Sequence, residues 1–395
     1  MYVYADHAAT TPLSPAALAA MTACLRDDYG NPSSLHTPGQ HARELLDQAR
    51  ATVAACLGAA PGEIYFTSGG SEADNQALLT GAALGAKKGK KHLITTAFEH
   101  HAVLHAAKRL ERQGFAVTYL DVHDDGIVRP EDVAAALRPD TALVSVMLVN
   151  NEIGTIQPVA EIARLCREQG VLFHTDAVQA VGHIPVDVQA LGVDMLSLAG
   201  HKFHGPKGVG ALYCRKGLRP EILIEGGAQE RGRRGGTENL PAIVGMAAAL
   251  RAATATMEQD MAHVTALREA LIDGLTQIPH SRLNGHRTQR CPGTVNLCFE
   301  GIEGESLLLW LDAKGVAASS GSACTSGSLD PSHVLLALGL PHEIAHGSLR
   351  LSIGAENTEA EIAHILKVVP EVVSYLRGMS PVWEALEAGR QPHWI

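Results

Sequence analysis

The sequence predicts an α/β protein built on a mostly parallel sheet and joined to a smaller α+β unit. Between about Glu63 and Cys214, short β-rich runs alternate with amphipathic helical stretches, the pattern of βαβ units with helices on both sheet faces. At 395 residues the chain exceeds the size at which one apolar core stops growing. Hydrophobic residues make up 46% but aromatics only 4%, so Ala, Val, Leu and Ile must build the core. That profile suits a soluble α/β enzyme better than a sandwich or a coiled coil.

Seven runs read as strands: Ile64–Thr67, His92–Thr96, Ala116–Leu120, 143–149, 172–175, 195–198 and 211–214. Helical stretches at 73–85, 101–113 and 159–169 lie between them, the last stopped by Gly170. Ligands on such sheets bind beyond the carboxyl ends of the strands. A turn-rich stretch, 226–236, precedes a long Ala- and Met-rich helical region at 240–278. A strand at Thr294–Phe299, a helix near 305–314, a strand at Ser348–Ser352 and a final helix complete the chain. The expected division is a large unit at 16–258 and a small one formed by 1–15 with 259–395.

The net charge of −10 argues against a protein that grips nucleic acid. No uninterrupted apolar run approaches the ~20 residues of a membrane helix, and residues 1–11 lack the features of a signal or transit peptide. The seven cysteines show no C-x-x-C spacing, which fits a reducing cytoplasm rather than a disulfide framework. One of them is then available for chemistry.

Three segments carry that chemistry. Thr67-Ser68-Gly69-Gly70-Ser71-Glu72 ends a strand and opens a helix, where backbone N–H groups and the Ser71 hydroxyl suit a phosphate; the same residues also make an ordinary turn and cap. In Phe173-His174-Thr175-Asp176-Ala177-Val178-Gln179, a carboxylate at a buried strand end needs a partner, which a protonated pyridine nitrogen would supply; a helix-capping Asp is the other reading. In Ala199-Gly200-His201-Lys202-Phe203-His204, Lys202 follows an apolar strand, where a shielded lysine becomes a nucleophile. His201 and His204 lack a nearby third ligand, so a structural or cofactor-facing role is expected of them rather than metal binding.

These segments, in this order, resemble the fold-type-I pyridoxal-phosphate enzymes, specifically the class V aminotransferase family. Ser319-Ser320-Gly321-Ser322-Ala323-Cys324-Thr325-Ser326-Gly327-Ser328 is similar to the active-site loop of its cysteine desulfurases, of the iron–sulfur-cluster and nitrogen-fixation types. The resemblance runs from Asp6-His7-Ala8-Ala9-Thr10-Thr11-Pro12 through Glu99-His100 and Asn150-Asn151-Glu152 to Arg350. Thr237-Glu238-Asn239 and Asp330-Pro331-Ser332-His333 look closest to the nitrogen-fixation type.

The resemblance implies a large domain with a seven-stranded sheet between helices, a pyridoxal 5'-phosphate cofactor and L-cysteine as substrate. It implies that Lys202 holds the cofactor covalently and later moves the substrate Cα proton. Asp176 would keep the pyridine nitrogen protonated, Gln179 would bond the ring oxygen, and His100 would stack on the ring and exchange protons. Asn151 would position cofactor and substrate. Gly70, Ser71 and His201 would hold the phosphate, with Thr237 from a second subunit of a homodimer. Arg350 would take the substrate carboxylate as a bidentate pair. Cys324 would attack the substrate sulfur as a thiolate and carry it as a persulfide to an iron–sulfur scaffold or other acceptor protein, its one metal contact being a transient one through that persulfide. The glycines and serines around Cys324 imply backbone freedom for this delivery. The family usually has Ser where Ala199 stands, so one phosphate hydrogen bond is expected to be missing.

Two other readings compete. A class V aminotransferase or lyase acting on another amino acid would leave Cys324 incidental. His342-Glu343-Ile344-Ala345-His346 spells the zinc-hydrolase H-E-x-x-H, but Pro341 and Gly347 confine it to about one turn.

Overall fold

The computed structural model describes residues 1–320 and 331–389. Its strands are β1 (Val3–Tyr4), β2 (Ile64–Thr67), β3 (His92–Thr96), β4 (Ala116–Leu120), β5 (Thr141–Ser145) and β6 (Leu172–Asp176), then β7 (Met195–Ala199), β8 (Gly210–Cys214), β9 (Ser281–Leu283), β10 (Thr294–Phe299), β11 (Val316–Ala317) and β12 (Ser348–Ser352). Strands β2 to β8 form one seven-stranded sheet in the order β2-β8-β7-β6-β5-β3-β4. Neighbours are parallel except at β8, which is antiparallel to β2 and β7. The connection 200–209 is shorter than the dozen or so residues a parallel crossover needs, so β8 must reverse. Strands β2, β3, β5, β7 and β8 are buried throughout, which is why they read as apolar runs without alternation.

The predicted strand at 143–149 is displaced. β5 ends at Ser145, and its ladder to β3 stops at the Ile94–Val144 pair. Val146 and Leu148 still donate to the His174 and Asp176 carbonyls of β6, and Val149 keeps only an isolated bridge to Ile156. The apolar run continues because Val146 to Val149 are buried, not because they belong to a strand.

The helix Leu240–Leu275 joins two apolar clusters. Its 36 residues extend ~54 Å at 1.5 Å per residue. Residues such as Ile243, Met246 and Leu250 enter the cluster around the large sheet. Val264, Leu267, Leu271 and Leu275 enter a second cluster with β10, β12 and the helix Glu359–Arg377, while the stretch between is mostly exposed. Among the described residues this is the one helix long and apolar enough by length and composition to cross a membrane, and its two ends are buried in these clusters. β1 pairs with β11, which brings the start of the chain into the second cluster. β12-β10-β9 form an antiparallel sheet there.

Candidate active site

A cavity of about 350 Å³ opens beyond the carboxyl ends of the central strands. Segments following β2, β3, β5 and β7 supply Gly70 and Ser71, His100, Asn151, and His201 and Lys202, while the end of β6 and the turn after it supply Asp176 and Gln179. Ala8 and Ala9 of the N-terminal segment and Arg350 of β12 close it. Ten of the twelve expected site residues lie within or beside this space, since Ala199 adjoins it without lining it.

Lys202 stands in the tight turn Gly200–Lys202 directly after β7. Its Nζ donates to the Ala8 carbonyl at 2.5 Å and to the Ala9 carbonyl at 2.8 Å, pinning the N-terminal segment over the sheet. Asp176, the last residue of β6, is 5% exposed and accepts from the Val178 N–H at 2.9 Å. Burial pushes its carboxyl up to about 6, against the Val178 N–H and the Lys202 charge. Asp74 stands in the same wall, and its Oδ1 has no hydrogen-bond partner among the described residues. Burial and the Asp176 charge raise Asp74 well above its ordinary range. Two buried carboxyls held this way suit a cationic group on a ligand.

His100 caps the helix His101–Arg112, its Nδ1 accepting the Ala102 N–H at 3.1 Å. Burial, then the Lys202 charge, lowers it to about 4, so the ring is neutral near pH 7. A neutral ring with Nδ1 occupied as acceptor carries its proton on Nε2. His201 is likewise lowered to about 4 by burial and nearby lysines, and its Nδ1 lies 3.2 Å from Thr10 Oγ1. The helix Gly70–Ala86 opens at Gly69, which offers no side-chain cap, so its first N–H groups are available to an anion. A Cβ at Gly70 would come within 2.6 Å of Val178 Cγ2 and 3.5 Å of the Ala199 Cβ, so any larger residue there would narrow this cradle. The Ala199 methyl beside it offers no donor.

Gln179 Nε2 donates to the Ala8 carbonyl at 2.9 Å. Arg350, 2% exposed at the middle of β12, donates through Nη1 to the Asn151 carbonyl at 3.1 Å. The uncapped helix start, the amine and the buried carboxyl at the end of β6 fit a phosphorylated pyridine aldehyde. Thr237 is exposed and does not line the cavity of its own chain. Cys324 and its loop lie outside the described residues.

Several residues had no assigned role in the sequence reading. Glu99 is fully buried, accepts from Thr96 Oγ1 and the Met147 N–H, and is raised to about 8 by burial. Glu152 accepts from Ser332 Oγ and is raised to about 7, again by burial. His333 stands 4.6 Å, ring to ring, from His101, and both line the cavity. A buried carboxyl in a stretch that reads as a loop was the available signal. His342–His346 forms a five-residue helix that passes through Gly347 directly into β12.

The sequence profile described as Aminotransferase class-V matches residues 3–365. The chain belongs to the class-V aminotransferase family. Members of this class-V family of the desulfurase type depend on pyridoxal phosphate. Within it, the chain is 54% identical over 380 residues to "Cysteine desulfurase IscS" of Methanosarcina thermophila, covering 96% of this chain and 94% of that one. It is 51% identical over 385 residues to a protein of the same name from Clostridium botulinum strain Hall, covering 97% of each. A solved structure titled "NIFS-LIKE PROTEIN" superposes with a TM-score of 0.89 at 40% identity, over 95% of this chain and all (100%) of that one. Another, "SspA in complex with cysteine", gives 0.78 at 36% identity over 90% and 99%.

Proposed function

We propose that this class-V member is a cysteine desulfurase that takes sulfur from L-cysteine, releases L-alanine and holds the sulfur as a persulfide on Cys324. The observation that carries the reading is one cavity uniting the Lys202 amine, the buried Asp176 carboxyl and the Arg350 guanidinium, in a chain about half identical to desulfurases along nearly its whole length.

Pyridoxal phosphate, when bound, withdraws electrons from the substrate's carbon skeleton. Lys202 would hold it and then move the Cα proton, with neutral His100 in the same cavity as the second proton carrier. Asp176, and Asp74 behind it, would favour a protonated pyridine nitrogen. Gly70, Ser71 and His201 would take the phosphate, Gln179 the ring oxygen, and Asn151 both partners. Arg350 would fix the substrate carboxylate. The Cys324 thiolate would attack the substrate sulfur; the S–S bond forms as the C–S bond breaks, and a proton on the former Cβ completes alanine.

None of the six described cysteines lines the cavity, and burial raises the pKa of each, to about 12 for Cys166 and Cys214 and about 11 for Cys291 and Cys298. This supports a thiolate from the 319–328 segment. The persulfide would pass by thiolate exchange to a cysteine of an iron–sulfur scaffold protein in a reducing cytoplasm. The same reading includes a homodimer contributing Thr237 across the interface, and units at 16–258 and at 1–15 with 259–395.

Incubation of the holoenzyme with L-cysteine, then mass analysis of intact protein and peptides, should place one added sulfur atom on Cys324. Amino-group transfer to a 2-oxo acid without added sulfur would assign the chain to the aminotransferases instead.

A further inference from the structure

A second cavity, of about 260 Å³, shares Ala8 and Gln179 with the first and is lined by His7, His204 and Glu356 among others. One ring nitrogen of each histidine and one carboxylate oxygen lie within 4.8 Å of one another. His7 is 7% exposed, and its Nδ1 has no hydrogen-bond partner among the described residues. That atom and the carboxylate border the same small space: a Cβ placed on Gly354 would fall 2.5 Å from His7 Nδ1 and 2.7 Å from Glu356 Oε2. His204 holds the left-handed backbone at φ 64°, and its Nδ1 lies 3.1 Å from the Pro12 carbonyl and 3.3 Å from Glu356 Oε1.

We propose that His7, His204 and Glu356 bind a divalent transition-metal cation of the zinc class. Two imidazoles and a carboxylate are a borderline-soft donor set that selects zinc, cobalt or nickel over calcium or magnesium. Ligand atoms at ~2.0–2.1 Å from such an ion lie ~3.3 Å apart, so atoms within 4.8 Å of one another must close by up to about 1.5 Å. His204 and Glu356 are partly exposed and have room to do so, while the buried His7 sets the position. Burial lowers His7, so its ring is in the neutral form a metal binds. Solvent on the Glu356 side would supply the fourth ligand.

The ion would join three segments that also build the active site. His7 precedes Ala8 and Ala9, whose carbonyls accept from Lys202; His204 follows Lys202 by two residues; Glu356 follows β12, which carries Arg350. Along the chain His204 stands beside His201 with no third ligand near. The partners come instead from nearly 200 residues upstream and 150 downstream, which only the fold juxtaposes.

Zinc chloride titrated calorimetrically into the Cys324→Ser holoenzyme, where that thiolate cannot compete, should show one equivalent bound and a raised melting midpoint. Adding His7→Asn or Glu356→Gln should weaken that equivalent at least about tenfold, with the cofactor's visible band and the far-ultraviolet circular dichroism unchanged. His342→Gln/His346→Gln should leave it intact. No uptake, uptake that survives Glu356→Gln, or loss only in the His342/His346 variant would each overturn the proposal.

Discussion

Arg350 Nη2 donates to Asp6 Oδ1 at 3.0 Å, and Nη1 is spent on the Asn151 carbonyl, so only Nε is left without a partner among the described residues. A buried guanidinium in this state is charged, oriented by a fixed carboxylate and still has a donor to offer. Asp6 is therefore a positioning residue for Arg350. Asp6→Ala should raise KM for L-cysteine by ~10-fold with a smaller change in kcat, and Arg350→Lys, which loses the planar fork, by ~10–100-fold. Steady-state alanine release measures both; an unchanged KM in Arg350→Lys would remove this residue from carboxylate binding.

Lys202→Ala should abolish the covalent attachment of the cofactor while leaving a folded protein. Borohydride reduction and peptide mapping of the parent protein should label Lys202. Labelling at any other lysine would contradict the assignment.

Glu99 gives a pH dependence whose sign is set. Its folded pKa of about 8 lies above the ordinary 4.5, so between these values the folded state binds more protons than the unfolded one. Stability from this group is full below about 4.5 and is lost as pH rises toward 8. Glu99→Gln, which keeps the acceptor for Thr96 and Met147, should remove that slope, on the order of 5 kcal/mol across the window. Urea unfolding at pH 5 and 8 tests it, and equal slopes in both proteins would refute it.

Arg50 and Glu230 form a bidentate pair at 2.8 and 2.7 Å, with side chains 8% and 2% exposed. Glu230 also accepts the Phe66 N–H, and it holds a left-handed backbone at φ 46°. Arg50→Ala would leave a buried charge unpaired and should cost ~3–5 kcal/mol in chemical denaturation. A cost below ~1 kcal/mol would mean that Glu230 is neutral or hydrated without Arg50.

That pair anchors the segment leading to Thr237. Hybrid dimers of one Lys202→Ala subunit and one Thr237→Ala subunit should contain one intact site and one doubly impaired site. About half the parent's activity is expected; activity absent from the hybrid, or full activity in a monomer measured by sedimentation, would count against sharing.

The parallel sheet, the helix order and the cavity-lining residues Gly70, Asp176 and Lys202 were legible because their signals are local, whereas His100 and Arg350 were reached only through the family resemblance. Apolar runs of strand length, glycines at a strand-to-helix turn, and charged residues directly after buried strands can all be read within a few positions. The β5 boundary was not legible, since a buried stretch off the ladder has the same composition as a strand.

The sequence by itself determined the α/β class, the family resemblance and the residue types that gather at the strand ends. Only the tertiary structure decided what those residues face: Asp74 behind Asp176, Asp6 against Arg350, Arg50 paired with Glu230, and His7 opposite His204 and Glu356. In every one of these groupings the partners are more than 100 residues apart, Asp74 on the helix Gly70–Ala86 and Asp176 at the end of β6 included. Periodicity and motif spacing describe neighbours along the chain, whereas these contacts arise when strand order and helix packing close long loops in space.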